Sequence, residues 1–556
     1  MSQPTPNGHR RPSISTMQHV PLTVGAILRH ACTVHGDRTV TTAMGAGGYR
    51  SVTYRELALQ TARLANALRR IGIRGEQRVA TFMWNNQEHL AAYLAVPAMG
   101  AVLHTLNIRL FPDQLAFIAN QAEDRVIIVD VSLAAQLAPV LALLETVHTV
   151  IAVGKGDIDM LVASGKAVLR YEKLTLAQPA AFEWPELDEN SAAAMCYTSG
   201  TTGDPKGVVY SHRSTYLHSM ASNAANGLGI GFNDSVLPVV PMFHANAWGL
   251  PYGALMAGAD LVLPDRFMDA KALVDLIETQ RPTIAGAVPT IWNDVMHVLE
   301  SSPDHDISSL RLAICGGSAV PVSLMQKFAE RHGVEILQLW GMTETSPIAT
   351  VARPMGDAPE DEYWTMRASQ GRPVCGVETR IVGAGGDPLP YDGQTVGELE
   401  VRGPWITGSY YPHRDESRFA GGWLRTGDVG RIDSRGYVTL TDRSKDVIKS
   451  GGEWISSVDL ENHLIAHPAV REAAVVGVPD DRWQERPLAA VVLHDGKRAS
   501  PKELREFLAD KVVRWWLPEQ WIFIDHVPRT SVGKYDKKTI RTRHADGKYD
   551  VIEIHG

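Results

Sequence analysis

The sequence predicts an α/β protein with a large amino-terminal body and a smaller carboxy-terminal unit. Short apolar runs such as Arg78–Met83, Val126–Asp130 and Leu312–Cys315 alternate with longer segments of helical period. Apolar strands separated by helices are typical of parallel sheets covered on both faces. From about Gly385 the strands become closely spaced, which predicts a small antiparallel β subdomain. The expected body therefore combines parallel-sheet subdomains with a β subdomain, and an α+β unit follows it.

The clearest helix of the body is predicted over Tyr54–Ile71. Leu57, Leu64 and Leu68 share one face of this segment, and its arginines lie away from that face. The longest apolar run, near residues 90–103, is broken by Pro97 and Gly100. It is shorter than the ~20 residues that span a bilayer, so it predicts a buried helix and turn and no stable membrane insertion.

The carboxy-terminal unit is predicted to begin near residue 442. Ser456 can cap a helix, with Asp459 in its first turn. Two apolar runs, Ala473–Val478 and Leu488–Leu493, follow, and then a helix around Pro501–Lys511. We therefore expect domains over 21–442 and 443–556. The charged segment at 442–445 is either a hinge or a plain surface turn.

Composition and charge exclude several classes of function. The 556 residues include 54 basic and 62 acidic side chains, a net charge of −8. This balance argues against general binding to nucleic acid or to anionic membranes. Four widely spaced cysteines with no C-x-x-C pair indicate neither a zinc site nor a disulfide framework. Residues 1–20 are polar and lack the apolar core of a signal peptide, so we expect a disordered lead and a cytoplasmic protein.

The strongest chemical signal is the segment Tyr197–Gly207 (YTSGTTGDPKG). Its glycines let several backbone N–H groups point at one anion, its hydroxyls add donors, and Lys206 adds a positive charge. The spacing is not that of a Walker A loop. A flexible linker is the alternative. The position between an apolar strand and a helix predicted to begin near Ser211 favours a phosphate-binding loop, by analogy with strand–loop–helix anion sites.

With this loop the chain resembles the adenylate-forming superfamily of acyl-CoA synthetases, adenylation domains and luciferases. Later segments resemble further motifs of that family in the same order, namely QLWGMTET at 338–345, WLRTGD at 423–428, KSGGE at 449–453 and PRTSVGK at 528–534. The resemblance spans nearly the whole chain. It implies a small mobile carboxy-terminal domain that turns about a hinge near residues 443–446.

The resemblance also implies a two-step reaction with ATP, Mg²⁺ and coenzyme A. In the family a carboxylate attacks the α-phosphate of ATP, pyrophosphate leaves, and a thiol then displaces AMP from the acyl-adenylate. The first step brings two anions together, so cations and oriented donors are required.

Matching the family's motifs residue by residue gives the implied site. ATP binding is implied for Thr198, Ser199, Gly200, Thr201, Thr202, Gly203, Lys206, Gly316, Gly317, Ser318, Gln338, Trp340, Gly341, Met342, Thr343, Glu344, Asp428, Arg443 and Lys445. Catalytic roles are implied for Lys534, Lys206, Glu344 and His244, and Mg²⁺ binding for Thr198 and Glu344. The acyl and coenzyme A tunnel is implied to contain His244, Trp248, Lys449, Gly451, Gly452, Glu453 and Trp454.

For several of these positions a structural role is the alternative. Without the resemblance, Glu344 is an ordinary surface glutamate and Lys534 a solvated lysine. Gly316–Ser318 is also a tight turn before a helix opened by Pro321, which is compatible with an adenine lying against its backbone. Trp340 stands where the family usually has tyrosine, and it can still stack on adenine.

The acid substrate is indicated by Pro241–Trp248 (PMFHANAW). Amino-acid-activating members of the family place an aspartate directly after the phenylalanine. Here that residue is His244, so a substrate ammonium would lack a counter-charge. Trp248 resembles the tryptophan that gates the acyl tunnel of fatty acyl-CoA synthetases, with a plain core aromatic as the alternative. Residues 449–457 and 483–487 resemble the same branch.

We therefore expect a fatty acid:CoA ligase for medium or long chains. The alternatives are an aryl-acid or other carboxylic acid:CoA ligase, or a ligase that loads a carrier protein. A nucleotide-binding protein without activity is disfavoured, because Lys206, Glu344, Asp428 and Lys534 occur together. An α/β-hydrolase is disfavoured because no G-x-S-x-G motif is present. Relatives of this branch suggest a homodimer.

Overall fold

The computed structural model describes residues 15–198, 205–356, 358–383, 385–412, 415–443, 446, 448–450, 453–480, 482–529 and 535–554. These residues form two sheets of mainly parallel strands, a small antiparallel β subdomain and a carboxy-terminal α+β unit. The fold class predicted from the sequence is confirmed. Of the expected lead 1–20, residues 15–20 carry no helix or strand.

The first part of the chain forms a complete seven-stranded sheet with its helices and also provides two strands of a second sheet. In chain order the elements are α1 Val24–Val34, β1 Thr39–Gly45, β2 Gly48–Thr53, α2 Tyr54–Arg70, β3 Arg78–Phe82, α3 Gln87–Ala98, β4 Val102–Thr105, α4 Pro112–Gln121, β5 Asp124–Asp130, α5 Ala134–Leu141, β6 Thr149–Val153, α6 Asp159–Val162, β7 Ala167–Arg170, α7 Tyr171–Leu176, β8 Ala192–Tyr197 and β9 Gly207–Ser211. The sheet order is β7-β6-β5-β3-β4-β8-β9. Its pairs are parallel except β8–β9.

Helices α2 and α3 show how the sequence directs this packing. The capping box of Thr53 and Glu56 starts α2, which buries the predicted face with Leu57 and Leu68. Almost every residue of α3 is buried, as expected for an apolar run between two sheets. Among the described residues no helix is long and apolar enough to cross a membrane.

The second part of the chain forms a nine-stranded sheet that includes β1 and β2 at one edge. Its elements are α8 His212–Asn223, β10 Ser235–Pro238, α9 Leu250–Ala257, β11 Asp260–Leu263, α10 Ala270–Gln280, β12 Ile284–Ala287, α11 Pro289–Ser301, β13 Leu312–Cys315, α12 Val322–His332, β14 Glu335–Gly341, β15 Ile348–Val351, α13 Glu360–Ala368 and β16 Arg372–Pro373. The sheet order is β16-β15-β14-β13-β12-β10-β11-β1-β2. The pairs from β14 to β1 are parallel.

The carboxyl ends of β10, β12, β13 and β14 meet at one edge of this sheet because the four strands are parallel neighbours. Gly316–Ser318 follows β13, and Met342–Thr345 follows β14. The segment Pro241–Trp248 follows β10. Ligands of open α/β sheets bind outside this edge, so the fold brings three of the predicted motifs to one place.

The β subdomain is antiparallel and consists of β17 Glu378–Val382, β18 Gly397–Arg402, β19 Phe419–Ala420, β20 Trp423–Ile432 and β21 Val438–Arg443. It begins before the expected Gly385, since β17 precedes that glycine and pairs with β18. The predicted turn at Gly421-Gly422 joins β19 to β20.

The carboxy-terminal unit has its own sheet and cores. Its elements are β22 Ile448–Ser450, β23 Glu453–Ile455, α14 Ser457–Ile465, β24 Val470–Asp480, β25 Gln484–Leu493, α15 Pro501–Ala509, β26 Gln520–Phe523, α16 Lys537–Ala545 and β27 Ile552–Glu553. Ser456 caps α14, as predicted. The change of sheet falls between Arg443 and Ile448, and the domain boundary near 442 stays a prediction.

Candidate active site

The predicted phosphate-binding loop joins two antiparallel strands. The N–H of Thr198 donates to the carbonyl of Lys206 at 2.9 Å, and the N–H of Lys206 donates to Thr198 Oγ1 at 3.1 Å. Helix α8 begins after β9, with Ser211 as its N-cap. The helix start is therefore confirmed, but the strand–loop–helix analogy is wrong because β9 lies between loop and helix. Ser199, Gly200, Thr201, Thr202 and Gly203 lie outside the described residues.

Lys206 stands at the exposed end of this hairpin. Its Nζ lies 2.7 Å from Asp415 Oδ2 and 4.8 Å from the ring centroid of Tyr410. Hydrogen bonds from Lys206 and Ser417 lower the pKa of Asp415, so this carboxylate is charged. A carboxylate thus holds the ammonium at the mouth of the loop, where a phosphate can replace that carboxylate as its partner.

Glu344 lies on the 3₁₀ turn that follows β14 and is 5% exposed. Its Oε1 accepts a hydrogen bond of 2.6 Å from the hydroxyl of Tyr410. Burial raises the pKa of Tyr410, so the phenol stays protonated and continues to donate. Tyr410 therefore contacts both Lys206 and Glu344. Tyr410 is not identifiable from the sequence, because the uncharged segment around it carries no motif.

The donors at this place fit a magnesium ion. A carboxylate and a hydroxyl are the hard oxygen ligands that Mg²⁺ prefers. Glu344 and Thr198 carry groups of this kind and would hold the ion, and this assignment stays a prediction. The Tyr410 hydrogen bond orients the carboxylate, as outer partners of metal ligands usually do. When bound, the ion would neutralise charge on the phosphates.

Trp340 and Asp428 form a buried pair between the second sheet and the β subdomain. The indole Nε1 donates to Asp428 Oδ2 at 2.9 Å, and both residues are less than 10% exposed. Asp428 lies opposite Arg443 in the register of β20 and β21. The tryptophan at the family's tyrosine position is thus a hydrogen-bond donor to the residue implied to hold the ribose. Lys445 lies outside the described residues.

Two other implied ATP contacts have structural roles in this fold. The Gln338 side chain accepts from the N–H of Val320 at 2.6 Å and donates to the carbonyl of Ser369 at 2.6 Å. A Cβ on Gly316 would lie 2.7 Å from the Leu339 side chain, and Gly317 has φ +92°. Both glycines are therefore required by the turn itself, and their ATP contacts stay predictions. The ATP contacts of four further residues on the same edge of the sheet also stay predictions, namely those of Ser318, Gly341, Met342 and Thr343.

The segment that carries His244 and Trp248 forms a left-handed turn. Ala245, Asn246, Ala247 and Trp248 have φ values from +42° to +57°, and Gly249 follows at +71°. Each non-glycine residue in this conformation costs about 1–2 kcal/mol. Such strain persists only where surrounding contacts enforce it, and it is concentrated at functional sites.

A buried asparagine supplies part of that enforcement. Asn85 Nδ2 donates to the carbonyls of Pro238 and Val240 at 2.8 and 2.9 Å, and its Oδ1 accepts from the N–H of Met242 at 2.7 Å. The hydroxyl of Tyr93 donates to the Met242 carbonyl. Neither residue was identified from the sequence, since their partners are more than 140 positions away.

Trp248 is buried at 4% exposure, and His244 at the start of the turn is half-buried. Phe243 packs beneath the guanidinium of Arg109, which lies 5.9 Å from the ring centroid. A buried tryptophan is compatible with a core aromatic and with a closed gate, so the gate stays a prediction.

Two segments that resemble the fatty acyl-CoA synthetase branch, residues 449–457 and 483–487, lie together. Lys449 on β22 is opposite Trp454 on β23, and Ser450 is opposite Glu453. Arg486 of the 483–487 segment donates to Ser450 Oγ at 3.1 Å. Gly451, Gly452 and Lys534 lie outside the described residues.

Comparison with known proteins identifies the class. The family model described as AMP-binding enzyme matches residues 28–411, and its C-terminal domain matches 459–534. The chain is 42% identical to 3-methylmercaptopropionyl-CoA ligase of Ruegeria pomeroyi over 96% of this chain and 99% of the relative. It is 40% identical to a medium-chain-fatty-acid–CoA ligase of Ectopseudomonas oleovorans over 96% and 98%. The structure of anthranilate CoA ligase AuaEII with anthranoyl-AMP superposes with a TM-score of 0.86 and 27% identity, covering 95% and 99%.

Fold and site together define an adenylate-forming enzyme, with a hairpin phosphate loop, a buried acidic residue beside it and a separate carboxy-terminal α+β unit. The chain belongs to the AMP-binding enzyme family. Within that family it is an AMP-forming acid–CoA ligase, with ATP and coenzyme A as substrates and Mg²⁺ as the metal.

Replacing Trp340 with phenylalanine tests the indole–carboxylate pair. The variant keeps an aromatic face for the adenine but removes the donor to Asp428. A hydrogen bond to a charged group contributes about 1.5–3 kcal/mol, so we expect KM for ATP to rise about tenfold or more, with a smaller change in kcat. Steady-state pyrophosphate release against ATP concentration measures this. Trp364→Phe, in α13, is the matched control, and an unchanged KM in Trp340→Phe would contradict the proposed ribose site.

Proposed function

We propose that this enzyme is a fatty acid:CoA ligase that activates unbranched aliphatic acids. The observation that carries the proposal is the segment Pro241–Trp248, in which His244 stands at the sequence position of the ammonium-binding aspartate and Trp248 is buried in the left-handed turn that follows. An aliphatic tail needs an apolar wall and no counter-charge. The relatives named as fatty-acid–CoA ligases support this substrate class.

In the proposed first step the acid carboxylate attacks the α-phosphate and pyrophosphate leaves. The loop between β8 and β9 and the Lys206 ammonium would hold the departing phosphates. Glu344 and Thr198 would hold the metal, and Tyr410 would keep the Glu344 carboxylate in place. The Lys534 ammonium would lie between carboxylate and α-phosphate, where it lowers the repulsion between two anions.

In the proposed second step the thiol of coenzyme A attacks the acyl carbon and AMP leaves. Lys449 on β22 and Glu453 and Trp454 on β23 would line the path of the pantetheine arm. Asp428 and Trp340 would hold the ribose of the nucleotide through both steps, since their contact joins the second sheet to the β subdomain.

A pyrophosphate-release assay across acid classes tests the proposal. We expect turnover with straight-chain alkanoic acids, little with benzoates and none with α-amino acids, because His244 provides no carboxylate for an ammonium. Sustained release should require coenzyme A, since AMP leaves only when the thiol attacks. Strong turnover with benzoates alone would contradict the aliphatic assignment. Release that needs a carrier protein in place of coenzyme A would contradict the acceptor.

A further inference from the structure

A small, partly open cavity lies against the left-handed turn. Asn246 and Gly249 of the turn form part of its wall, and Ser346, two residues after Glu344, forms another part. The volume of about 10 Å³ is close to the minimum that holds one water-sized group. The cavity therefore lies between the turn that buries Trp248 and the segment that carries the metal-binding carboxylate.

The hydroxyl groups in the cavity wall already donate their hydrogens to partners outside the cavity. Each donates to a backbone carbonyl: Tyr210 to Thr343 at 2.8 Å, Thr215 to Ser211 at 3.0 Å, Tyr252 to Tyr93 at 3.1 Å and Ser346 to Trp405 at 2.7 Å. Their oxygens can accept a further hydrogen bond but cannot donate one to a group in the cavity.

His218 lies in the same wall. One of its ring nitrogens contacts the backbone, and its proton is on the other ring nitrogen. Its Nε2 accepts from the N–H of Ile348 at 3.2 Å, so that nitrogen is unprotonated. Burial lowers the pKa of His218 to about 3, so the ring is neutral and its one proton is on Nδ1. In the described part of the chain no acceptor takes this Nδ1–H.

Gly249 leaves space over this donor. A Cβ at position 249 would lie 2.7 Å from His218 Nδ1, and the φ of +71° favours glycine there. The side-chain oxygen of the neighbouring Asn246 already accepts a hydrogen bond of 3.2 Å from Cys196 Sγ. The group of this amide that remains for the cavity is the NH₂, which is a donor. Besides hydroxyl oxygens that can only accept, the cavity thus offers the His218 Nδ1–H and the Asn246 NH₂ as donors to a group that can accept.

Building on the proposed function, we propose that this cavity receives an acceptor atom in the tail of the acid substrate, and that His218 Nδ1–H binds it. The substrate class is then short aliphatic acids that carry an ether, thioether, hydroxyl or carbonyl group at one position along the chain. A plain methylene at that position leaves the donor unpaired, so the matching alkanoic acid is used less well than the acid with an acceptor there. His218 therefore determines that the substrate tail carries an acceptor atom and at which position along the tail this atom lies.

The proposed recognition is tested with pairs of acids of equal chain length, in which an ether oxygen of one acid replaces a methylene group of the other. The pairs are 3-methoxypropanoate with pentanoate, 4-methoxybutanoate with hexanoate and 5-methoxypentanoate with heptanoate. We expect one ether acid to exceed its alkanoate at least about tenfold in kcat/KM for pyrophosphate release. In His218→Phe this ratio should fall to near one, because the substitution removes the donor on which only the ether acid depends.

Two further variants separate recognition from folding. Thr215→Val changes the same wall, but its hydroxyl hydrogen is committed to Ser211, so the ratio should stay as in the wild type. His218→Gln keeps an acceptor for the Ile348 N–H and an amide donor for the cavity, so it should retain part of the ratio. Equal loss with both acids of a pair in His218→Phe, with no change in their ratio, overturns the inference.

The remaining outcomes distinguish this inference from the proposed function. If no acid releases pyrophosphate, the proposed function fails and this inference fails with it. If alkanoic acids are used but every ether-to-alkane ratio in the wild type is near one, the proposed function stands. The cavity then holds only a water molecule and the inference is overturned.

Discussion

Lys534→Ala is expected to reduce acyl-adenylate formation by about 10²–10³-fold or more, while thioester formation from supplied acyl-AMP stays close to the wild-type rate. The ammonium is needed where the acid carboxylate approaches the α-phosphate, because two anions meet only in that step. In the second step a thiol attacks the acyl carbon of the mixed anhydride and no carboxylate approaches the phosphate, so the same charge contributes less. A residue required merely for folding would affect both steps.

The described neighbours of Lys534 connect its segment to the body of the enzyme. Arg529 and Tyr535 pair across the base of the segment, and Arg529 Nη2 lies 3.0 Å from Glu472 Oε2. Beside this base, the ring centroids of His494 in the carboxy-terminal unit and His297 in α11 are 5.3 Å apart. Arg529 and Tyr535 also interact electrostatically with Asp294 of α11, so in this structure the base of the segment lies against the body.

Two assays on the same preparation separate the steps. Pyrophosphate release in a single turnover reports adenylation, and acyl-CoA formed from synthetic acyl-AMP reports the second step. Lys538→Ala removes the same charge from an exposed position in α16 and should leave both rates unchanged. Equal loss of both rates in Lys534→Ala would contradict the assigned role.

Glu344→Gln is expected to lower pyrophosphate release by at least about 100-fold and to raise the Mg²⁺ concentration for half-maximal rate. The carboxylate is buried and already accepts the Tyr410 hydroxyl, so the amide keeps the shape of the site but loses the charge that binds the ion. Tyr410→Phe removes only the orienting hydrogen bond. We expect its effect to be about 10–100-fold, as for other outer partners of metal ligands.

Rates measured across a Mg²⁺ titration test this assignment. Glu362→Gln is the control, because it removes a carboxylate from a half-exposed ion pair with Arg435. An exposed pair of this kind contributes little to stability, so this variant should behave as the wild type. A Glu344→Gln enzyme with an unchanged Mg²⁺ dependence would place the metal elsewhere.

Local patterns predicted much of the fold because they are properties of short segments. The period of Tyr54–Arg70, the cap at Ser456 and the apolar strands all appeared near their expected positions. The helix after the phosphate loop also began where expected. The intervening strand β9 was missed, since its pairing with β8 depends on a partner across the loop.

The residues of the candidate site also fall into those predictable from short segments and those that depend on distant contacts. Lys206, Glu344 and Asp428 were found because each lies in a motif of contiguous residues. Asn85 and Tyr410 were not, since their roles come from contacts with residues far away in the chain.

The sequence by itself determined the family, the two-step chemistry and the residue types that ATP and Mg²⁺ require. Only the tertiary structure decided how those residues are held. It joined Trp340 to Asp428, placed Tyr410 between Lys206 and Glu344, and turned His218 Nδ1 toward the space that Gly249 leaves. The physical reason is that hydrogen bonds and steric contacts act over a few ångströms in space, whereas their partners here are separated by tens to hundreds of residues in sequence.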